Sequence, residues 1–269
     1  MSTIGVIHYN WPGYDLEGFA RRASDIGYKS CELQIGDIWD EADDDGGRQA
    51  EVMREMFAGY GMTISAVTAG NDFIQANRGD FDAQIARYRR VCEIIPRTGT
   101  DIIRSDGGWN RGDKVPQDQW DGMMLEGFQR CAEFLERLNV RVALDNHGVS
   151  TNDGDWQLSL IERVGSGRVG VNLDTMNYRW FGHSLEKIDH FYEIIAPHTF
   201  HTHMKDGTGS RSEYKGAALG EGEIHLEKVL ECLRQAGYDG AFTAEYEGPE
   251  AEGGVGYEKC YHWLTEHVG

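Results

Sequence analysis

Positive charge is scarce in this 269-residue chain: seven lysines and nineteen arginines stand against 45 acidic residues, for a formal net charge of −19 at pH 7. A field of that sign repels phosphate backbones and anionic headgroups, so neither nucleic acid nor a membrane surface is expected as a partner. No apolar run approaches the ~20 residues that span a bilayer. The N-terminal MSTIGVIHYN enters a strand-like run directly, without the basic and apolar regions of a secretory signal. Cysteine is sparse as well. Cys31, Cys92, Cys131, Cys232 and Cys260 are odd in number and share no paired spacing, which excludes a disulfide framework or zinc knuckle and points to reduced thiols in a cytoplasmic protein.

What the chain has is repetition. Short apolar or alternating runs recur at residues 3–8, 29–35, 62–68, 100–105, 140–146, 168–174, 199–205 and 240–246. Between them lie segments of helical period, such as LEGFARRASDIG, FDAQIARYRRVCEII and LEKVLECLRQAG. Parallel strands need helical crossovers, and eight such units predict one α/β domain over residues 1–269, a closed (β/α)8 TIM barrel; an open doubly wound sheet is the alternative. Connections from helix to strand are short and marked by glycine, as in YGMT and RTGTD. Those after strands are long, as in GDIWDEADDDGGR and DGTGSRSEYKGAALGEGE. All elaboration is therefore at the end where strand C-termini meet, the end at which barrels build their sites.

Four consecutive strands leave the barrel on polar residues: Asp145-Asn146-His147, Asp174-Thr175, His203-Met204-Lys205 and Glu245-Tyr246-Glu247. An aspartate at a strand end is commonly the cap of the next helix, and a single histidine is commonly a core hydrogen-bonding group. Four in one ring are different, because buried uncompensated charges cost several kcal/mol each. Asp145, Asp174, His203 and Glu245 make a mixed oxygen and nitrogen donor set suited to a divalent ion, Mn²⁺ first, with Mg²⁺, Co²⁺ or Zn²⁺ as alternatives. Within FHTHMKD (200–206), alternation puts His201, His203 and Lys205 on one face. His201 then lies one layer deeper, as a hydrogen-bond partner behind the ion. Lys205, nearer the loops, meets either a substrate oxygen or an acidic group such as Asp206 or Glu247.

Over its whole length the chain resembles the xylose isomerase-like TIM barrels, sugar phosphate isomerases and epimerases that include ketose 3-epimerases and inosose dehydratases. The resemblance rests on ALDNHG (143–148), VNLDTMN (171–177), HTHMKD (201–206), GEGEIHLEKVL (220–230) and GAFTAEYEG (240–248). It implies Asp145, Asp174, His203 and Glu245 as metal ligands, with His147, Asn177 and Lys205 facing the substrate, and a homo-oligomeric assembly. One departure stands out: the family usually has glutamate where this chain has Asp145, one methylene shorter. Placement errors near 1 Å already harm catalysis, so transfer of the family's acid/base pair onto Asp145 is not direct.

The expected activity is that of a divalent-metal-dependent sugar isomerase or epimerase, acting on a keto-sugar or polyol-derived substrate by proton abstraction next to a carbonyl through a metal-stabilised enediolate. Glu245 is the expected base, with Asp145 or His147 as the complementary acid. If that acid instead protonates a leaving oxygen, the same chemistry becomes β-elimination, and the protein is a lyase or dehydratase acting on a keto-sugar, inosose or 3-keto-glycoside. Glu32 either reaches the ring from the far wall or forms a buried pair with Arg104, which is also placed to meet a substrate anion. Trp39 and Trp109, on long loops, are the expected substrate walls, within a wider set that includes Trp11, Phe73, Tyr178 and Trp180. A metal phosphodiesterase like endonuclease IV uses a similar barrel, but the acidic charge opposes a DNA groove.

Overall fold

The structure, a computed structural model, describes residues 3–109 and 114–268. Its strands in chain order are β1 (Thr3–Ile7), β2 (Ser30–Gln34), β3 (Thr63–Thr68), β4 (Ile102–Ser105), β5 (Arg141–Asp145), β6 (Val169–Asp174), β7 (Thr199–Met204), β8 (Asp206–Thr208), β9 (Lys215–Ala217) and β10 (Ala241–Ala244). All but β8 and β9 pair in parallel and close a barrel in the order β1-β10-β7-β6-β5-β4-β3-β2. This is a (β/α)8 barrel, and the open-sheet alternative falls. Burial of the strands on both faces explains their continuous apolar runs; every residue of Val169–Asp174 is buried.

The helices that cover the barrel follow from their sequence period. In Leu226–Gln235, residues Leu226, Val229, Leu230 and Leu233 recur at the i, i+3, i+4, i+7 spacing and are buried, with Cys232 beside them. Helix starts are fixed by short polar side chains that accept an otherwise unpaired backbone N–H: Asp15 from Gly18, Asn77 from Asp80, Asp153 from Trp156 and Ser184 from Lys187. No described helix is long and apolar enough to cross a membrane.

The loop after β7 holds more order than its glycine-rich sequence predicts. β8 and β9 form an antiparallel hairpin in which Asp206 pairs with Ala217 and Thr208 with Lys215. Asp206 is the staple of this region. Its Oδ1 accepts the backbone N–H groups of Gly207 (2.8 Å) and Ile224 (3.2 Å), and its Oδ2 those of Gly220 and Gly222 (both 3.0 Å). A Cβ at position 222 would lie 2.1 Å from Oδ1, so glycine is required there by close approach. Asp206 is therefore committed to its own loop and is not the acidic partner of Lys205.

Candidate active site

Register brings the strand-end groups together. His203 on β7 pairs across the ladder with Asp174 on β6, and on its other side with Thr243, two residues before Glu245. Two layers result. In the deeper one, Glu32 Oε2 lies 3.0 Å from His201 Nε2 and 2.7 Å from His203 Nε2. An ionised carboxylate only accepts, so each ring directs an N–H at it. Glu32 Oε1 accepts from Thr68 Oγ1 (2.6 Å) and from the Tyr9 hydroxyl (3.2 Å).

In the upper layer Asp174, His203 and Glu245 each offer an atom within 4.8 Å of the others, and all three residues are buried. Asp174 Oδ1 accepts the backbone N–H groups of Met176 and Asn177, both at 2.8 Å, while Oδ2 has no hydrogen-bond partner. His203 Nδ1 is 2.8 Å from Glu245 Oε2 and 3.8 Å from Asp174 Oδ2, yet it too makes no aligned hydrogen bond. Buried polar atoms are rarely left unpaired. Lys205 Nζ closes the layer, 3.1 Å from Glu245 Oε1, 2.9 Å from Glu247 Oε2 and 3.9 Å from Asp174 Oδ2. Asn10 donates to Glu245 Oε1 at 3.2 Å.

These donors fit a divalent ion. Asp174 Oδ2 and His203 Nδ1 lack an aligned hydrogen bond and lie close to each other and to Glu245, and His203 is already fixed from behind by Glu32, the carboxylate–histidine arrangement that orients metal-ligating rings. Charge leads to the same place. Glu32, Asp106, Asp145, Asp174 and Glu245 are buried against two fixed cations, Arg104 and Lys205, so negative charge is in excess. The excess registers in proton affinities. Burial, with Glu245 and Asp145 adding to it against Lys205, pushes the Asp174 carboxyl up to about 7. Burial disfavours charge on His203, but Glu32 and Glu245 outweigh it and hold that ring well above the ordinary histidine value. Burial likewise opposes ionisation of Glu245, and Lys205 and His203 overcome it, holding the carboxyl below the usual range.

Asp145 departs from the expected quartet. Its Oδ2 accepts Arg104 Nε (3.0 Å) and Nη2 (2.5 Å), its Oδ1 accepts Asn172 Nδ2 (2.8 Å), and it belongs to no cluster of closely spaced donors among the described residues. Arg104 thus pairs chiefly with Asp145; Glu32 is at 3.9 Å from its Nε and Asp106 at 3.6 Å from its Nη2. Arg104 overcomes the burial penalty on Asp145 and lowers its pKa. Asp106 keeps a raised one, because burial outweighs the guanidinium there.

Above the upper layer, His147, Asn152, Asn177, Trp180, Lys205, Tyr214 and Glu247 line a cavity of about 220 Å³. The aromatic residues divide sharply. Trp11 stacks on Tyr257 with ring centroids 4.3 Å apart, and Phe73 and Tyr178 are fully buried. Trp39, expected as a substrate wall, is 6% exposed in the main core with Arg87 over its ring, because the short helix Ile35–Ile38 turns it inward. Trp109 and Trp180 are the exposed ones, at 46% and 41%, and Trp109 meets the His147 ring edge-on at 6.2 Å. Tyr9, Asn10 and Tyr214 belong to the site without having been singled out from sequence. The first two follow β1, so the strand-end rule applied to HYNW (8–11) would have found them.

Comparison with known proteins agrees with the barrel fold. Curated relatives match over only part of their length: the chain spans 39% and 44% of the two that it matches. One of these, an inosose isomerase of Halalkalibacterium halodurans, is 25% identical over 126 residues, 44% of this chain. Solved structures match throughout. A D-psicose 3-epimerase from Clostridium cellulolyticum H10, determined with D-tagatose, superimposes with a TM-score of 0.78 at 14% identity, covering 99% of this chain and 98% of that one. The IOLI protein with a bound zinc atom gives 0.76 at 15%, covering 99% and 96%. The family model described as xylose isomerase-like TIM barrel matches residues 20–267, nearly the whole chain. This protein belongs to the xylose isomerase-like TIM barrel family.

Proposed function

We propose that this protein is a divalent-metal-dependent sugar isomerase or epimerase that moves a proton next to the carbonyl of a keto-sugar or polyol-derived substrate. The observation that carries the reading is a pair of buried atoms that make no aligned hydrogen bond, Asp174 Oδ2 and His203 Nδ1, gathered against Glu245, whose Oε2 lies 2.8 Å from His203 Nδ1. Asp174, His203 and Glu245 would hold the ion, with Mn²⁺ the first expectation for this oxygen-rich set. A dication there would draw charge from a carbonyl and its adjacent hydroxyl, acidifying the C–H between them.

The chain's own groups then divide the work. Lys205 keeps Glu245 ionised and so able to take up the proton, and its ammonium donates to a substrate oxygen as it turns from Glu247. Asn177, whose Oδ1 is 3.5 Å from Lys205 Nζ, holds that ammonium at the cavity floor. His147 on the cavity wall is positioned to return a proton, and the ring face of Trp180 screens the C–H face of a sugar from water. The relatives point the same way: an inosose isomerase and a D-psicose 3-epimerase handle this class of substrate, and the IOLI protein holds zinc.

One observation favours a second reading, a lyase or dehydratase. With Asp145 engaged by Arg104, Glu245 is left as the single carboxylate base, and His147 becomes the donor to a leaving oxygen. Incubation with Mn²⁺ and ketohexoses in D₂O separates the two. An isomerase or epimerase incorporates deuterium at the carbon next to the carbonyl and keeps the substrate's composition, whereas a lyase releases water. Glu245→Gln should abolish both. Absence of deuterium with every dication tried would defeat proton abstraction as the mechanism.

A further inference from the structure

We propose that Arg104 holds the Asp145 carboxylate outside the coordination shell, so that the protein grips its dication through three side chains, Asp174, His203 and Glu245. The proposal rests on the metal reading above and specifies how this chain departs from a four-ligand arrangement.

Hydrogen bonding separates the two aspartates. Asp174 spends one oxygen on backbone N–H groups and leaves the other free. Asp145 spends both, one on two guanidinium nitrogens and one on the Asn172 amide. Register reinforces the separation, because Asp145 pairs on the ladder with Asn172, two residues before Asp174. A carboxylate on a one-carbon stem reaches its neighbour at that level, and does reach it.

Arg104 cannot readily let go. The residue is 8% exposed, and its Nη1 donates to Thr68 Oγ1 at 3.0 Å, whose own hydroxyl donates to Glu32. Turning the guanidinium away would strand one buried charge on β4 and another on β5, a change that is strongly destabilising in buried pairs. The ion-pair contacts agree: Asp145 is engaged by the Arg104 guanidinium, whereas the nearest fixed cation to Asp174 Oδ2, Lys205 Nζ, is 3.9 Å away. Arg104 is thus a positioning residue, and the position that a fourth protein ligand would fill is left to water or substrate.

The test is Mn²⁺ binding by calorimetry, with water-proton relaxation counting the waters on the bound ion. Asp174→Asn and Glu245→Gln should each weaken binding by more than about 100-fold, whereas loss of an outer partner costs less. Asp145→Asn alone takes from the buried Arg104 its shortest carboxylate contact and leaves only Asp106 at 3.6 Å and Glu32 at 3.9 Å, so the informative variant is Arg104→Gln/Asp145→Asn, which removes both charges together. Its Mn²⁺ affinity should fall by no more than the ~10–100-fold that loss of an outer partner costs, with the same relaxation enhancement. Arg104→Gln alone should free Asp145 to join the ion, tightening binding and lowering the enhancement as a water leaves. A double variant that loses binding as severely as Asp174→Asn overturns the proposal and leaves the metal reading standing. A native protein that takes up no dication overturns the metal reading, and this proposal with it.

Discussion

Replacing Asp206 by asparagine tests whether a residue outside the reacting cluster holds the site's outer wall. Its carboxylate gathers the N–H groups of Gly207, Gly220, Gly222 and Ile224, and so ties the β8–β9 hairpin to the loop entering the helix at Leu226. The hairpin leads to Tyr214, whose hydroxyl donates to Glu247 at 3.0 Å, and Glu247 in turn meets Lys205 at 2.9 Å. Asparagine keeps the shape and one acceptor oxygen, so two backbone donors lose an anionic partner at ~1.5–3 kcal/mol each. Against this, burial holds the Asp206 carboxyl above its ordinary value despite those four donors, so a neutral amide is spared that burial cost. The net falls at the lower end, about 3 kcal/mol, which for a domain near this size lowers Tm by roughly 6–12 °C. Thermal unfolding reads the total, and amide hydrogen exchange reads the site: Gly220 and Gly222, or Gly207 and Ile224, should lose protection as a pair. Asp206→Ala should be worse than Asp206→Asn. An asparagine variant that melts with the native protein and keeps all four amides protected would show that Asp206 does not hold this wall.

Two further outcomes follow from the site's charge and shape. Asp174, pushed up to about 7, has a folded pKa above its unfolded value near ~3.9, so its contribution to stability is lost as pH rises from that value through about 7 and levels off once both states are ionised. His203 acts in the same direction: its stabilising contribution is present below the unfolded value of ~6.5 and is lost as pH rises through its raised folded value. Chelator-treated protein should therefore lose Tm between pH 5.5 and pH 8, and saturating Mn²⁺ should remove most of that slope; equal slopes with and without the ion would count against it. Separately, Trp180→Ala removes the exposed ring from the cavity wall and should raise KM for a ketose about two- to tenfold with kcat little changed, as expected for a ring contact of ~0.5–1.5 kcal/mol. An unchanged KM would place Trp180 outside the substrate's reach.

The barrel was legible because its signal is periodic. Eight apolar runs separated by amphipathic segments leave few topologies, and the strand-end polar groups of β5, β6, β7 and β10 stood out at the end with long loops. Pairing at a distance was not legible. Arg104 and Asp145 are 41 residues apart, and strand alternation says only that both face inward, not that one neutralises the other. Trp39 misled for a related reason, since a bulky ring after a strand reads as a cavity wall until the short helix Ile35–Ile38 turns it under Arg87. The β8–β9 hairpin was masked by glycine, whose weak intrinsic preference for strands is overridden by the four N–H groups converging on Asp206. His8, Tyr9 and Asn10 follow the first strand in the same way as Asn146 and His147 follow the fifth, and passed unnoticed because only one of the three is ionisable near neutral pH.

The most direct measurement is a crystal of the native protein equilibrated with Mn²⁺ and examined by anomalous scattering. A single strong peak is expected in contact with Asp174 Oδ2, His203 Nδ1 and Glu245 Oε2, with Asp145 still on Arg104. No peak at saturating Mn²⁺, or one bound between Glu32 and His201 in the deeper layer, would contradict that expectation.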